Sequence, residues 1–148
     1  PEAFASLDQR MVSFYEGALW MHEEGTIADY YGLTQNPQIQ IAHSEEGAEF
    51  SPVEIQIIAD KRWDVPLVNM PIDGYHTSGQ VSKIPDLKNF NGTWKGSFLR
   101  DQNDTSFPAG ERLRRGRKLW GTVLLITLET DIFSRLLTVK INAIRRPN

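Results

Sequence analysis

Short runs of β-branched, aromatic and aliphatic residues, each broken after about ten residues by Gly, Pro, Asn or Asp, constrain the fold of this 148-residue chain most. Pro37–Ser44 alternates isoleucine with glutamine, as a half-buried strand does. Ser51–Asp60 repeats the alternation and would place Val53, Ile55 and Ile57 on one face. These runs predict β-strands.

The end of the chain has the two longest runs. Lys118–Glu129 and Ser134–Arg146 flank Thr130–Phe133, and this arrangement predicts a hairpin of two long strands. Between the two isoleucine-rich segments and this end, Pro66 and Pro71 interrupt an apolar run. Because proline cannot donate to a ladder, they predict an irregular edge strand or an extended loop.

Helix signals are confined to Pro1–Arg10 and Ala28–Tyr31, each sufficient for one turn. About eight to ten strands in a chain of this length favour two packed sheets. The expected fold class is therefore all-β: an antiparallel β-sandwich, jelly-roll-like, with little helix. We expect residues 1–148 to form a single domain. The chain starts at Pro1, which fits either removal of an initiator methionine or a segment of a larger polypeptide.

Composition argues against several function classes. The chain has no cysteine, so disulfides and thiolate chemistry are excluded. No apolar run approaches the ~20 residues of a membrane helix, so no membrane span is expected. His22, His43 and His76 lack metal-type spacing, and we expect neither a metal nor a cofactor.

No motif selects a catalytic group. A Gly-x-Ser-x-Gly turn is absent from the sequence, although serine, histidine and aspartate all occur. The acidic pairs Glu23–Glu24 and Glu45–Glu46 are adjacent residues, which point to opposite faces of a strand. We therefore expect no enzymatic activity, and an enzyme of unknown class ranks third among the hypotheses.

Charge is divided unevenly along the chain, whose net charge is −3. Residues 1–73 carry 3 basic and 13 acidic side chains, whereas residues 74–148 carry 13 basic and 6 acidic ones. Such halves could complement each other within the folded chain. They would equally suit contacts between identical neighbours in a ring or stack, and solvated charges are the third interpretation.

Five cations stand together near the end of the chain and form a candidate interaction patch: Arg112, Arg114, Arg115, Arg117 and Lys118. A phosphate-binding surface would have this composition. The acidic total charge, the absence of a nucleic-acid-binding motif and the turn signal of Gly116 favour a surface loop or a subunit contact instead.

Aromatic residues offer a candidate glycan site. Tyr30 and Tyr31 precede a glycine, and tyrosine pairs an apolar face with a polar tip that suits sugar stacking. Trp63 is the third candidate contact. A buried turn is the alternative interpretation of the two tyrosines.

The stretch Asn91–Asp101 contains a Gly-x-Trp similar to that of lipocalins, but too few residues follow it to complete a barrel. Read as a strand, it places four residues on one face: Trp94, Gly96, Phe98 and Arg100. Trp94 and Phe98 are then core anchors, and Gly96 leaves room for a close neighbour. We expect Arg100 and Asp101 each to hold a loop or a neighbouring strand through charge-assisted hydrogen bonds.

Several short motifs occur in a recognisable order, from a Leu-Trp-x-His through a Tyr-Gly and an Arg-Asp to a Gly-containing turn and a long apolar strand. Their positions are Leu19, Trp20, His22, Tyr31, Gly32, Gly96, Arg100, Asp101, Gly116, Leu119 and Gly121. This order resembles a segment of large tail-associated structural proteins of short-tailed, crAss-like and related bacteriophages. Two positions depart from that pattern, since Trp120 separates Leu119 from Gly121 and a lysine precedes Gly96.

The resemblance implies a β-sandwich component of a virion tail, neck or muzzle assembly, without catalytic role or cofactor. Its partners would be copies of itself and other virion proteins, and its location the virion. A module that binds a host-surface glycan or receptor is the alternative function, and nucleic acid is disfavoured as a partner.

Overall fold

The computed structural model describes residues 3–7, 10–22, 29–31, 33–34, 36–71, 79–131 and 134–146. Strands account for 61 % of the described residues and helix for 3 %, and the sheets are antiparallel. The predicted all-β class is therefore confirmed. The chain forms two compact units, Pro1–Pro37 and Gln38–Asn148, here called the N-terminal and C-terminal units. The single domain expected over 1–148 stays a prediction.

The described strands of the N-terminal unit are β1 (Ala3–Leu7), β2 (Arg10–Tyr15), β3 (Ala18–Met21), β4 (Asp29–Tyr30) and β5 (Leu33–Thr34). The first three form a sheet in the order β1-β2-β3, and β4 pairs with β5. Glu16 and Gly17, both at positive φ, join β2 to β3 as a two-residue hairpin turn does. The sequence predicted one helical turn at Pro1–Arg10 and another at Ala28–Tyr31. Both predictions are wrong for the described residues, because β1 pairs with β2 and Tyr30 pairs with Leu33. Ala28 lies outside the described residues.

The C-terminal unit contains eight described strands and a one-turn helix. They are β6 (Gln38–Ser44), β7 (Phe50–Ala59), β8 (Asp64–Pro71), β9 (Gly79–Ile84), β10 (Lys88–Phe90), β11 (Thr93–Ser97), α1 (Arg112–Arg115), β12 (Val123–Glu129) and β13 (Leu136–Arg145). One sheet has the order β10-β11-β7-β13 and the other β6-β12-β8-β9.

Both sheets contribute their inner faces to one hydrophobic core. Its fully buried aliphatic and aromatic side chains come from β7, β8 and β12 and are Phe50, Ile55, Ile57, Val65, Val68, Met70, Leu124, Ile126 and Leu128. Buried and more exposed residues alternate along β12, as in a strand with one face on the core. Each such side chain stabilises the fold by about 1.5–3 kcal/mol. Two antiparallel sheets around one core make this unit sandwich-like.

The last two strands, β12 and β13, do not form the predicted hairpin. β12 lies between β6 and β8 in one sheet, whereas β13 pairs with β7 in the other.

The proline-containing run forms β8, which lies between β12 and β9, so the prediction of an edge strand or loop is wrong. Its register against β9 shifts between Val65 and Val68, where Pro66 falls, so the missing N–H coincides with an irregularity.

Register shifts also turn two apolar side chains outward. Val53, expected to share a face with Ile55 and Ile57, is 44 % exposed. Leu137 is 66 % exposed, and the β13–β7 register shifts beside it and again opposite Val53. A bulge changes the phase of the side-chain alternation, which the sequence pattern alone does not reveal.

Candidate functional site

The five cations of the candidate patch lie on the segment between β11 and β12, here called the basic loop (residues 98–122). Arg114, Arg115, Arg117 and Lys118 are exposed, and Arg112 is half-buried. Only α1 gives this loop regular secondary structure. Its shape must therefore come from other contacts.

Two buried aspartates organise the basic loop. Asp101, 1 % exposed, accepts hydrogen bonds from the backbone N–H groups of Val81 (3.1 Å) and Asn103 (3.0 Å). Asp104, 4 % exposed, accepts from the N–H groups of Ser106 (3.0 Å) and Arg117 (2.8 Å). Val81 belongs to β9, so Asp101 ties the loop to a sheet.

The bonds to Asp104 also favour the charged form of its carboxylate. Hydrogen bonds from Ser106, followed by the N–H and positive charge of Arg117, lower the pKa of Asp104 below its ordinary value despite burial. Asp104 thus keeps its negative charge at neutral pH. This charge offsets part of the repulsion among the cations of the basic loop.

The two ends of the basic loop are held side by side. The N–H of Arg100 donates to the carbonyl of Leu113 (2.8 Å), and the N–H of Asp101 donates to that of Arg117 (3.0 Å). The Arg100 guanidinium donates to the carbonyl of Gly116 at 3.2 Å. A Cβ at Gly116 would lie 2.5 Å from one carbonyl oxygen and 2.6 Å from another, so this crossing requires glycine.

The cations differ in what they contact. Arg115 forms an ion pair with Glu111 (2.7 Å) and lies over the ring of Phe107. Arg112 donates through Nε to the Phe107 carbonyl at 2.9 Å. Within the described part of the chain, the side chains of Arg114 and Lys118 have no hydrogen-bond or ion-pair partner. These two charges are available to an external anion.

The residues to which the sequence assigned structural roles lie on β11, in the basic loop and next to the core. Trp94 and Phe98 pack against the core, and a Cβ at Gly96 would lie 2.6 Å from a methyl group of Ile84. Gly121 exchanges two backbone hydrogen bonds with Phe50. The strand ends at Ser97, so Phe98, Arg100 and Asp101 belong to the basic loop.

The three aromatic glycan candidates belong to different units, since Tyr30 and Tyr31 lie in the N-terminal unit and Trp63 lies in the C-terminal unit. Trp63 is 4 % exposed, and its Nε1 donates to Ser134 Oγ at 3.0 Å. Within the N-terminal unit, the ring of Tyr31 packs on Tyr15, with 4.6 Å between centroids, and its hydroxyl lies 3.0 Å from Ser13 Oγ. The side chain of Tyr30 lies outside the described residues.

A serine–histidine pair does occur in the N-terminal unit, where Ser13 Oγ lies 2.7 Å from His22 Nε2. Ser13 is 0 % exposed, so its hydroxyl is not accessible for attack on a substrate. No group of three or more histidine or acidic residues in the described ranges is placed to hold a metal ion. His76 lies outside those ranges.

The sequence interpretation missed the role of Asp104. The available signal was local: aspartate followed by Thr105 and Ser106 is typical of a turn in which the carboxylate accepts the N–H two residues ahead. Its second bond, to the N–H of Arg117, depends on the fold and leaves no mark in the sequence.

The chain matches none of the protein-family profiles compared with it. None of the curated proteins matches its sequence. Among the described residues, no helix has the length and hydrophobicity to span a membrane.

Proposed function

We propose that this chain is a structural component of a bacteriophage virion, within a tail, neck or muzzle assembly, and that it packs against neighbouring subunits through the basic loop. The carrying observation is a pair of cations that have no partner among the described residues, Arg114 and Lys118, on a loop fixed by the buried Asp101 and Asp104. The order of motifs from Leu19 to Gly121, which resembles tail-associated proteins, supports the virion setting.

A fixed cation suits a protein contact better than a mobile one. Ordering a long basic side chain and its loop costs conformational entropy on binding, and a preorganised loop lowers that cost. Here the carboxylates of Asp101 and Asp104 and the carbonyls of Leu113 and Arg117 hold the backbone in place before any partner arrives.

The chain itself has an excess of anions in its first half. Residues 1–73 carry 13 acidic and 3 basic side chains. Glu45 and Glu49 already pair with Arg145 and Arg146 of the same chain, and the remaining excess is what a second copy offers to the cations of the basic loop. A contact between two different patches of identical subunits is heterologous, and it closes into a ring when the rotation between copies allows. Such rings are the building units that a tail or neck assembly requires.

The contact can be tested by sedimentation velocity at low and high salt. We expect concentration-dependent association at low salt that weakens as ionic strength rises, because exposed charges are screened beyond about 10 Å at 0.1 M salt. The double variant Arg114→Glu with Lys118→Glu should stay monomeric. Lys83→Glu is the matched control, since this exposed lysine lies on β9 rather than on the loop. Monomeric behaviour at high concentration, insensitive to salt, would contradict the contact.

The virion setting needs a separate measurement. Electron cryomicroscopy of purified phage particles that encode the chain should show its eight-stranded sandwich in symmetric copies at the tail, neck or muzzle. Particles that lack it altogether would refute the setting while leaving the subunit contact intact.

A further inference from the structure

Three lysines stand in one row across the outer face of the sheet β10-β11-β7-β13. The register pairs Lys88 with Lys95, Lys95 with Gln56, and Gln56 with Lys140. Residues directly opposite each other on antiparallel strands point to the same face. The neighbours of Gln56, Ile55 and Ile57, are fully buried, so this row points away from the core.

The row is electrostatically unfavourable for the isolated chain. Like charges directly opposite on neighbouring strands destabilise a sheet, and Lys88 and Lys95 are such a pair. In the described structure, none of the three lysines forms an ion pair with a carboxylate. A bound anion would relieve this repulsion.

Beside the lysines lies a set of planar polar side chains. Glu54 Oε1 accepts from the amide of Gln56 (2.9 Å) and from that of Asn142 (3.3 Å). This mutual bonding fixes the orientation of both amides and leaves their carbonyl oxygens free among the described contacts. Fixed amide and carboxylate groups match neighbouring sugar hydroxyls, each of which donates one hydrogen bond and accepts others.

An aromatic ring completes the surface. Phe90 ends β10, is 57 % exposed, and has the Lys95 ammonium 5.8 Å from its ring centroid. An exposed aromatic face can stack on the C–H face of a sugar ring. A groove of about 390 Å³ adjoins this ring, and its lining includes Glu54, Asp86, Lys88, Phe90, Lys95 and Ser97. Its volume lies within the range of small-molecule sites, about 300–1,000 Å³.

From these contacts we propose that this face, here called the lysine face (Glu54, Gln56, Lys88, Phe90, Lys95, Lys140 and Asn142), binds an acidic sugar chain whose carboxylates meet the lysines. The amides then bind its hydroxyls and Phe90 stacks on a ring. The site is independent of the subunit contact, because it lies on the sheet rather than on the basic loop.

A peptide fits this face less well than a glycan does. Peptides that add to a sheet use the free backbone groups of an edge strand. The middle of this face lies on β11 and β7, interior strands whose backbone groups pair on both sides, and only its margins lie on the edge strands β10 and β13. Recognition on the lysine face therefore rests on side chains, and it combines charge with hydroxyl-matching groups.

The test is isothermal titration calorimetry of the full chain with polygalacturonate, a polymer of acidic sugars. We expect binding that weakens with salt, and a loss of about tenfold or more in affinity for Lys88→Gln with Lys95→Gln, since charge-assisted hydrogen bonds are lost. Phe90→Ala should weaken binding several-fold without changing the salt dependence. Lys83→Gln, an exposed lysine on the other sheet, should bind as wild type does.

Two further polymers sharpen the result. Neutral dextran should bind far more weakly than polygalacturonate, whereas equal binding would overturn the role of the lysines. Polyglutamate that binds as tightly as polygalacturonate would overturn the assignment to a sugar. Unchanged affinity in the Lys88→Gln and Lys95→Gln variant, with an unaltered melting curve, would place binding elsewhere. The Arg114→Glu and Lys118→Glu variant must keep sugar binding, which separates this proposal from the subunit contact.

Discussion

Asp104 Oδ2 accepts a 2.8 Å hydrogen bond from the backbone N–H of Arg117, thirteen residues further along the chain. A buried anion thus lies directly beneath an exposed cation, and the Arg117 guanidinium also lies 3.8 Å from Asp104 and 3.5 Å from Asp101. The guanidinium of Arg117 stays 67 % exposed. The loop can therefore present its positive charges outward while its backbone is fixed from below.

Removing the other buried carboxylate should destabilise the C-terminal unit. Asp101→Ala leaves the N–H groups of Val81 and Asn103 without their acceptor, and we expect a loss of about 2 kcal/mol in the free energy of unfolding. Urea denaturation measures it. Asp86→Ala, at an exposed aspartate, should change stability little. Equal effects of the two variants would show that the Asp101 bonds do not stabilise the fold.

Stability should also depend on pH through Asp104. Its folded-state pKa is lowered, so its contribution is present above the ordinary aspartate pKa of 3.8 and is lost as pH falls through the folded value. Asp104→Asn should lower stability at neutral pH and flatten the acid side of the stability profile. Urea titrations from neutral pH to below pH 3.8 measure both effects. A variant profile parallel to that of the wild type would refute this linkage, and Asp86→Asn serves as the control.

Gly116→Ala should destabilise the basic loop by about 1–3 kcal/mol, because the added methyl group meets backbone carbonyl oxygens that cannot move aside cheaply. Gly110→Ala, in the same loop, meets nothing within 4 Å and should be close to neutral. Thermal unfolding followed by circular dichroism compares the two. Similar melting temperatures would mean that the loop can shift to accept the methyl group.

Two tryptophans of the C-terminal unit should respond very differently to truncation. Trp63→Ala empties a core position that is 4 % exposed and should cost about 3–5 kcal/mol. Trp120 is 38 % exposed and lies beneath the Arg146 guanidinium, so Trp120→Ala should cost about 1 kcal/mol or less. Urea denaturation distinguishes them, and a small effect at Trp63 would contradict its core role.

The side-chain alternation in the sequence predicted the existence of most strands, since each period of two marks one face on a core. It could not predict partners: β12 and β13 follow each other along the chain yet join different sheets. Nor could it predict the bulges that expose Val53 and Leu137, because a bulge depends on the opposing strand.

The site shows the same division. The cluster of five cations is visible in the sequence itself. The buried carboxylates are not part of that cluster: Asp104 stands 13 positions before Arg117, and only folding brings the two together. The lysine face is less visible still. Lys88, Lys95 and Lys140 are separated along the chain and meet only through the register of four strands.

The strand order has a consequence for how the chain is made. β6 pairs only with β12 among the described strands, and roughly half of the chain is synthesised between them. While the ribosome works through that interval, β6 and the edge of β8 that pairs with β12 have no partner strand. Because non-local pairing must wait for its partner and folds slowly, the sheet closes only after β12 has emerged, and until then these strand edges are exposed to pairing with other chains.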